Sequence, residues 1–175
     1  MNGRTEQVRP YDLFSDALRA RGPTLNLLFE QARVSPAREG DTVVRDVFAG
    51  AIVAVLHEMV REFWVVHNAR KSQWKRLGPR VAGYSLPQIL AAALENFRMY
   101  EQWDAAKTEE IAQERSVKIL CAVLGVPLKK NAKRLPFRGN VCWSVLDTLT
   151  DGAGYARLDA MVRQFAEELE ACHAS

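Results

Sequence analysis

The chain has 175 residues, of which 48% are hydrophobic and 26% charged, with a formal net charge of +3. This is the composition of a soluble globular protein with enough apolar side chains for a sizeable core, and the simplest organisation is a single helical domain over residues 1–175. No repeat or low-complexity tract is visible, and the apolar run Ala49 to Leu56 is far too short to cross a bilayer, so no membrane partner is expected.

The elements follow in chain order from apolar spacing. A first short helix begins at Pro10, with Leu13, Phe14 and Leu18 on one side, and Arg-Gly-Pro-Thr at 21–24 is expected to break it. Thr24 caps a second helix through Leu25, Leu27, Leu28 and Ala32. After a loop at Ser35, Asp41 or Thr42 opens the longest pattern, which runs to about Ala69. Its stripe is Phe48, Ile52, Val55, Leu56, Met59, Val60, Phe63 and Val66, the face of a central, mostly buried helix. Gly78, Pro79 and Gly83 mark a turn region. Ser85-Leu-Pro-Gln88 resembles a capping box and starts a helix through Ile89, Leu90, Ala93, Leu94, Phe97 and Tyr100. Thr108 with Glu109 and Glu110 starts the next, which includes Ile111, Val117, Leu120, Cys121 and Leu124 and ends at Gly125 and Pro127. Lys129 to Gly139 reads as a basic loop, Val141 to Leu149 as a short helix or strand, and Ala156 to Cys172 as a closing amphipathic helix. No two-residue alternation bounded by hairpin turns is found. The predicted class is all-α, a bundle of about seven or eight helices around residues 48–66.

Charge is segregated along the chain. Residues 63–94 contain Arg70, Lys71, Lys75, Arg76 and Arg80 and no acid. Residues 115–146 contain Arg115, Lys118, Lys129, Lys130, Lys133, Arg134 and Arg138 and again no acid. Twelve bases then face all twenty-one acids in the rest of the chain. Such blocks favour a polyanionic partner, and the two blocks are expected to form its surface.

The stretch "REFWVVHNARKSQWKR" at 61–76 carries the most chemistry. His57, Arg61, Trp64, Asn68, Lys71 and Lys75 fall at helical steps of three and four, so a helix continuing that far would carry them on one ridge. Cations neutralise phosphates and an indole offers a base a stacking face, which suits RNA or single-stranded DNA.

Arg61 and His67, with five residues between them, resemble the arginine–histidine signature of HEPN-domain proteins, which are all-helical and include metal-independent endoribonucleases. The stretch Val43 to Trp64 is similar to a helix of that superfamily. The resemblance implies that Arg61 stabilises charge at a scissile phosphate while His67 moves protons. Six residues on an unbroken helix turn about 240°, so the pair converges only if the helix ends near Val66. At the usual place of the motif the chain reads Arg138-Gly-Asn-Val-Cys-Trp143, with Trp143 in the histidine's place. In size, helical content and charge the chain is also similar to the small helical subunits of CRISPR effector complexes, a likeness that implies a nucleic-acid path and a role in antiviral defence.

Other chemistry is absent from the pattern. There is no phosphate-cradling glycine loop, no His-Glu-x-x-His and no Gly-x-Ser-x-Gly. Cys121, Cys142 and Cys172 are odd in number and widely spaced, so neither a disulfide framework nor a metal site is expected, and no cofactor is implied. The first residues have no apolar core of a signal peptide, which with the cysteine usage points to the cytoplasm. The expectation is a non-catalytic RNA- or single-stranded-DNA-binding subunit, with protein subunits of a larger nucleoprotein assembly as its other partners. The alternatives are a HEPN-type ribonuclease or toxin using Arg61 and His67, and a protein-interaction module whose basic blocks meet an acidic partner.

Overall fold

The computed structural model describes residues 9–35, 42–105, 115–128 and 135–173. Seven helices carry almost all the regular structure among them: α1 (Pro10–Val34), α2 (Thr42–Val66), α3 (Lys71–Arg76), α4 (Leu86–Ala105), α5 (Arg115–Val123), α6 (Cys142–Thr150) and α7 (Tyr155–His173). The all-α class read from the sequence is the observed one. Asp41, Thr108 to Ile111 and the basic run Lys129 to Arg134 lie outside the described residues.

The centre is α2, which packs against α1, α4, α6 and α7. Its inward row is Ala49, Ile52, Val53, Leu56, Met59, Val60 and Phe63, all buried. One apolar cluster runs from Phe14 on α1 through this row to Leu169 on α7. Leu56 is fully enclosed, and truncating such a leucine to alanine costs about 2–5 kcal/mol.

The sequence expected a break at 21–24, but α1 is one helix with Pro23 inside it. Proline removes a backbone donor and crowds the preceding turn. Here Phe14, Leu18, Leu25, Phe29 and Ala32 stay on one buried face across it, and packing of that face against α2 outweighs the local cost. Leu13 and Leu27, expected inward, stand off that face and are 61% and 59% exposed.

The second correction is the end of α2. It stops at Val66 rather than near Ala69. Asn68 adopts a left-handed conformation, φ 47°. Its N–H donates to Val65 O at 2.9 Å, and Ala69 N–H donates to Trp64 O at 3.1 Å. This pair of bonds around a left-handed residue is the Schellman termination, which asparagine tolerates better than most side chains. Val66, expected inward, is exposed beside it. The same device ends α5, where Gly125 has φ 66° and Val126 N–H donates to Cys121 O at 2.9 Å, as Gly125 suggested in the sequence.

A small hairpin was not foreseen. Arg80–Val81 (β1) pairs antiparallel with Tyr84–Ser85 (β2). Ala82 and Gly83 between them have φ 50° and 83°, the two positive values that a tight two-residue hairpin loop requires. Strands of two residues are too short to show alternation. The segment Val141 to Leu149, open between helix and strand, is helical as α6.

Candidate nucleic-acid interface

Because the chain reverses at Asn68, α3 folds back beside the last turns of α2. Several contacts hold it there. The Ser85 hydroxyl donates to Trp74 O at 2.8 Å, Gly78 N–H donates to Glu168 Oε2 of α7 at 2.7 Å, and the Trp74 ring meets Phe165 of α7 edge-on, centroids 6.3 Å apart. Ser85 is wholly buried at the start of α4, where its own N–H donates to Gln88 Oε1 at 3.4 Å. The capping residues expected from the sequence thus also anchor α3.

The fold-back creates a cleft of about 360 Å³. His57, Arg61 and Trp64 of α2 form one wall, Lys71, Trp74 and Lys75 of α3 the other, and Arg115 at the start of α5 closes it. Arg115 is brought in by the packing of α5 on α4 and by a hydrogen bond from the Ser116 hydroxyl to Glu95. Trp64 and Trp74 meet edge to face, centroids 5.6 Å apart and planes at 71°. Trp64 Nε1–H donates to Arg70 O at 3.4 Å.

His57 is half-buried against the Trp74 ring, centroids 6.0 Å apart. Its Nδ1 is enclosed and has no hydrogen-bond partner among the described residues. Burial pushes the imidazole below its ordinary value of 6.5; Glu58 opposes this, and Arg61 and Arg98 reinforce it. The ring is therefore neutral at pH 7. Arg61 is bound to Glu58 through Nε and a second guanidinium nitrogen, the Nε contact being 2.9 Å. This pair raises the arginine and lowers the carboxyl. Lys71, Lys75 and Arg115 have no carboxylate partner among the described residues. The field of the cleft is set by these three cations, with Arg98 of α4 near enough to act on His57.

The sequence-derived site residues separate as follows. His57, Arg61, Trp64, Lys71 and Lys75 do come together, by a turn rather than along one helix. Asn68 is the helix terminator and does not line the cleft. Arg70 and Arg76 are exposed near its rim, and Arg76 Nε–H donates to Ser72 O at 3.4 Å. Arg80 is consumed by structure: its guanidinium donates to Lys75 O at 3.1 Å and to Gly83 O, tying the hairpin to α3. Arg138 lies in a segment pinned to α4, where Asn96 accepts from Val141 N–H at 2.9 Å and Asp104 from Gly139 N–H at 3.0 Å; it does not reach the cleft. Lys129, Lys130, Lys133 and Arg134 lie outside the described residues. Trp74, Arg115 and Arg98 complete the site. Trp74 was visible as the second tryptophan of the stretch at 61–76 and Arg115 as the first cation of the second basic block. Nothing in the sequence marked Arg98.

His67 does not join Arg61. Its Nδ1 lies 3.0 Å from Phe63 O and its Nε2 2.6 Å from Glu170 Oε2 of α7, and its side chain is 6% exposed. Ending α2 at Val66 did not bring the two together, because the His67 N–H still bonds to Phe63 O and keeps the ring on the α7 side. Trp143 packs on Phe29, centroids 5.3 Å apart. No group of three metal-ligating side chains occurs among the described residues, and no described helix is long and apolar enough to cross a membrane. No family model, curated protein or solved structure matches this chain.

Proposed function

We propose that this protein binds single-stranded nucleic acid, RNA or DNA, without cutting it, as a helical subunit of a larger nucleoprotein assembly. The observation that carries the reading is the cleft between α2, α3 and α5. Two indoles and an imidazole supply flat apolar surface, and Lys71, Lys75 and Arg115 supply positive charge that no described carboxylate cancels. Phosphates seek such cations and bases seek such rings, and a duplex offers its base faces to neither. The separation of His67 from Arg61 supports binding over cleavage. The subunit role is supported by Leu13, Leu27 and Val34, which lie fourteen and seven residues apart along one side of α1 and stay exposed, an apolar row suited to a neighbouring protein.

The test is binding of labelled single-stranded RNA, single-stranded DNA and duplex DNA across a salt series. The single strands should bind more tightly than the duplex, with log affinity falling by roughly 0.7 per phosphate contact for each decade of salt. Absence of binding to any of them at low salt would refute the reading.

A further inference from the structure

The shape and polarity of the cleft set what it can hold. Its 360 Å³ sits at the low end of the roughly 300–1,000 Å³ typical of small-molecule pockets. Its indoles are inclined at 71° and form a corner, not a parallel slot. A corner accepts one flat ring against one face. His57 lines the same cleft, its ring edge-on to Trp74 with centroids 6.0 Å apart.

Resting on the nucleic-acid reading above, we propose that the cleft is a single-nucleotide pocket. One base of a single strand, turned out of the stack, seats against the Trp64–Trp74 corner, while Lys71, Lys75 and Arg115 take the phosphates on either side of it. Arg61 is held by Glu58 and forms a wall more than a phosphate ligand. The strand therefore makes one base contact in the cleft, and its other bases contribute nothing there.

The experiment varies the ligand, so it does not depend on a mutant that folds. Three short strands of equal length are compared in both ribose and deoxyribose form: one with all its bases, one abasic throughout, and one abasic except for a single central base. The single-base strand should bind within about twofold of the full strand, and both should bind roughly 5- to 150-fold more tightly than the abasic one, the worth of one stacked base. Both should quench tryptophan fluorescence where the abasic strand does not, and Trp64→Leu should reduce them to the abasic level. If the abasic strand binds as tightly as the full strand, the cleft reads backbone alone and the pocket is refuted while the nucleic-acid reading stands. A full strand far tighter than the single-base strand likewise overturns it, because several bases are then held. Absence of binding by all three strands overturns both readings.

Discussion

The indoles of Trp64 and Trp74 lie with centroids 5.6 Å apart, on either side of a reversal made by Asn68 at φ 47°. A helix that continued through that point would have carried Trp74 away from Trp64. One left-handed residue thus converts a basic, aromatic stretch of sequence into two facing walls.

The reversal makes a direct prediction. Glycine adopts the left-handed conformation freely, while a β-branched side chain resists it. Asn68→Gly should hold or slightly raise stability and keep the near-ultraviolet dichroism of the tryptophan pair. Asn68→Val should cost about 1–2 kcal/mol in urea unfolding and weaken that signal. Equal stability of the two variants would show that this turn does not hold the walls together.

Two glycines inside helices should respond differently. Gly50 of α2 lies under the Phe97 ring of α4; a Cβ there would fall 2.6 Å from Cζ and closer still to two other ring carbons. Gly22 of α1 has nothing within 4 Å of the same position apart from its chain neighbours, but one neighbour is Pro23, whose ring crowds a Cβ on the preceding helical residue. Gly22→Ala should therefore be close to neutral, its helix-propensity gain of about 0.5–1 kcal/mol opposed by that crowding. Gly50→Ala should destabilise by about 1–3 kcal/mol, because displacing Phe97 from the α2–α4 contact outweighs the propensity gain. Denaturant midpoints of the two variants check both.

Stability should fall on mild acidification, and His57 should account for part of the fall. Glu58 and Arg61 on α2, Lys71 and Lys75 on α3, Arg98 on α4 and Arg115 on α5 surround this ring, and burial is the largest influence on it. Its folded-state value lies below the 6.5 of the free side chain. Well above 6.5 both states are neutral and the group contributes no slope. As pH falls through it the unfolded state takes the proton first, so stability declines until the folded ring also protonates. His57→Gln should therefore flatten the change in melting temperature between about pH 7.5 and 5.5, above the range where carboxylates titrate. An unchanged slope would contradict this.

The three thiols should differ sharply. Cys142 is pushed up to about 12, by burial first and then by Asp46, and burial also raises Cys121. Only Cys172 is exposed. Since the thiolate is the reactive form, the native protein should consume one equivalent of an aromatic disulfide reagent near pH 8, and three in denaturant. Fast reaction of a second native thiol would contradict the enclosure of Cys121 and Cys142.

Much of the fold was legible because burial writes a period into sequence. The row Ile52, Leu56, Met59 and Phe63, the closing helix and the stop at Gly125 all follow from spacing and one glycine. Pro23 misled because the strength of a helix breaker depends on what the flanking face packs against, and that face is set by α2. Asn68 was legible only as an amide on an imagined ridge, since its left-handed conformation depends on Ala69 finding a buried place behind it. The cleft itself was half legible. His57, Arg61 and Trp64 share a face by periodicity, but Arg115 reaches them only through the packing of α5 on α4, and Arg80 looked like a free cation until the hairpin claimed it.

The central claim is that location, not net charge, makes the cleft a polyanion site, and a matched pair of charge reversals tests it most directly. Lys71→Glu with Lys75→Glu reverses two unpaired cations of the cleft. Arg19→Glu with Arg33→Glu reverses two exposed cations of α1, and changes the net charge equally. Affinity for a short single strand is measured for both across salt. The cleft variant should lose at least tenfold at low salt, with a salt slope shallower by about 0.7 for each phosphate contact removed, while the α1 variant stays within a few-fold of wild type. Equal losses in the two variants, or none in the cleft variant, would contradict the assignment of nucleic-acid binding to this cleft.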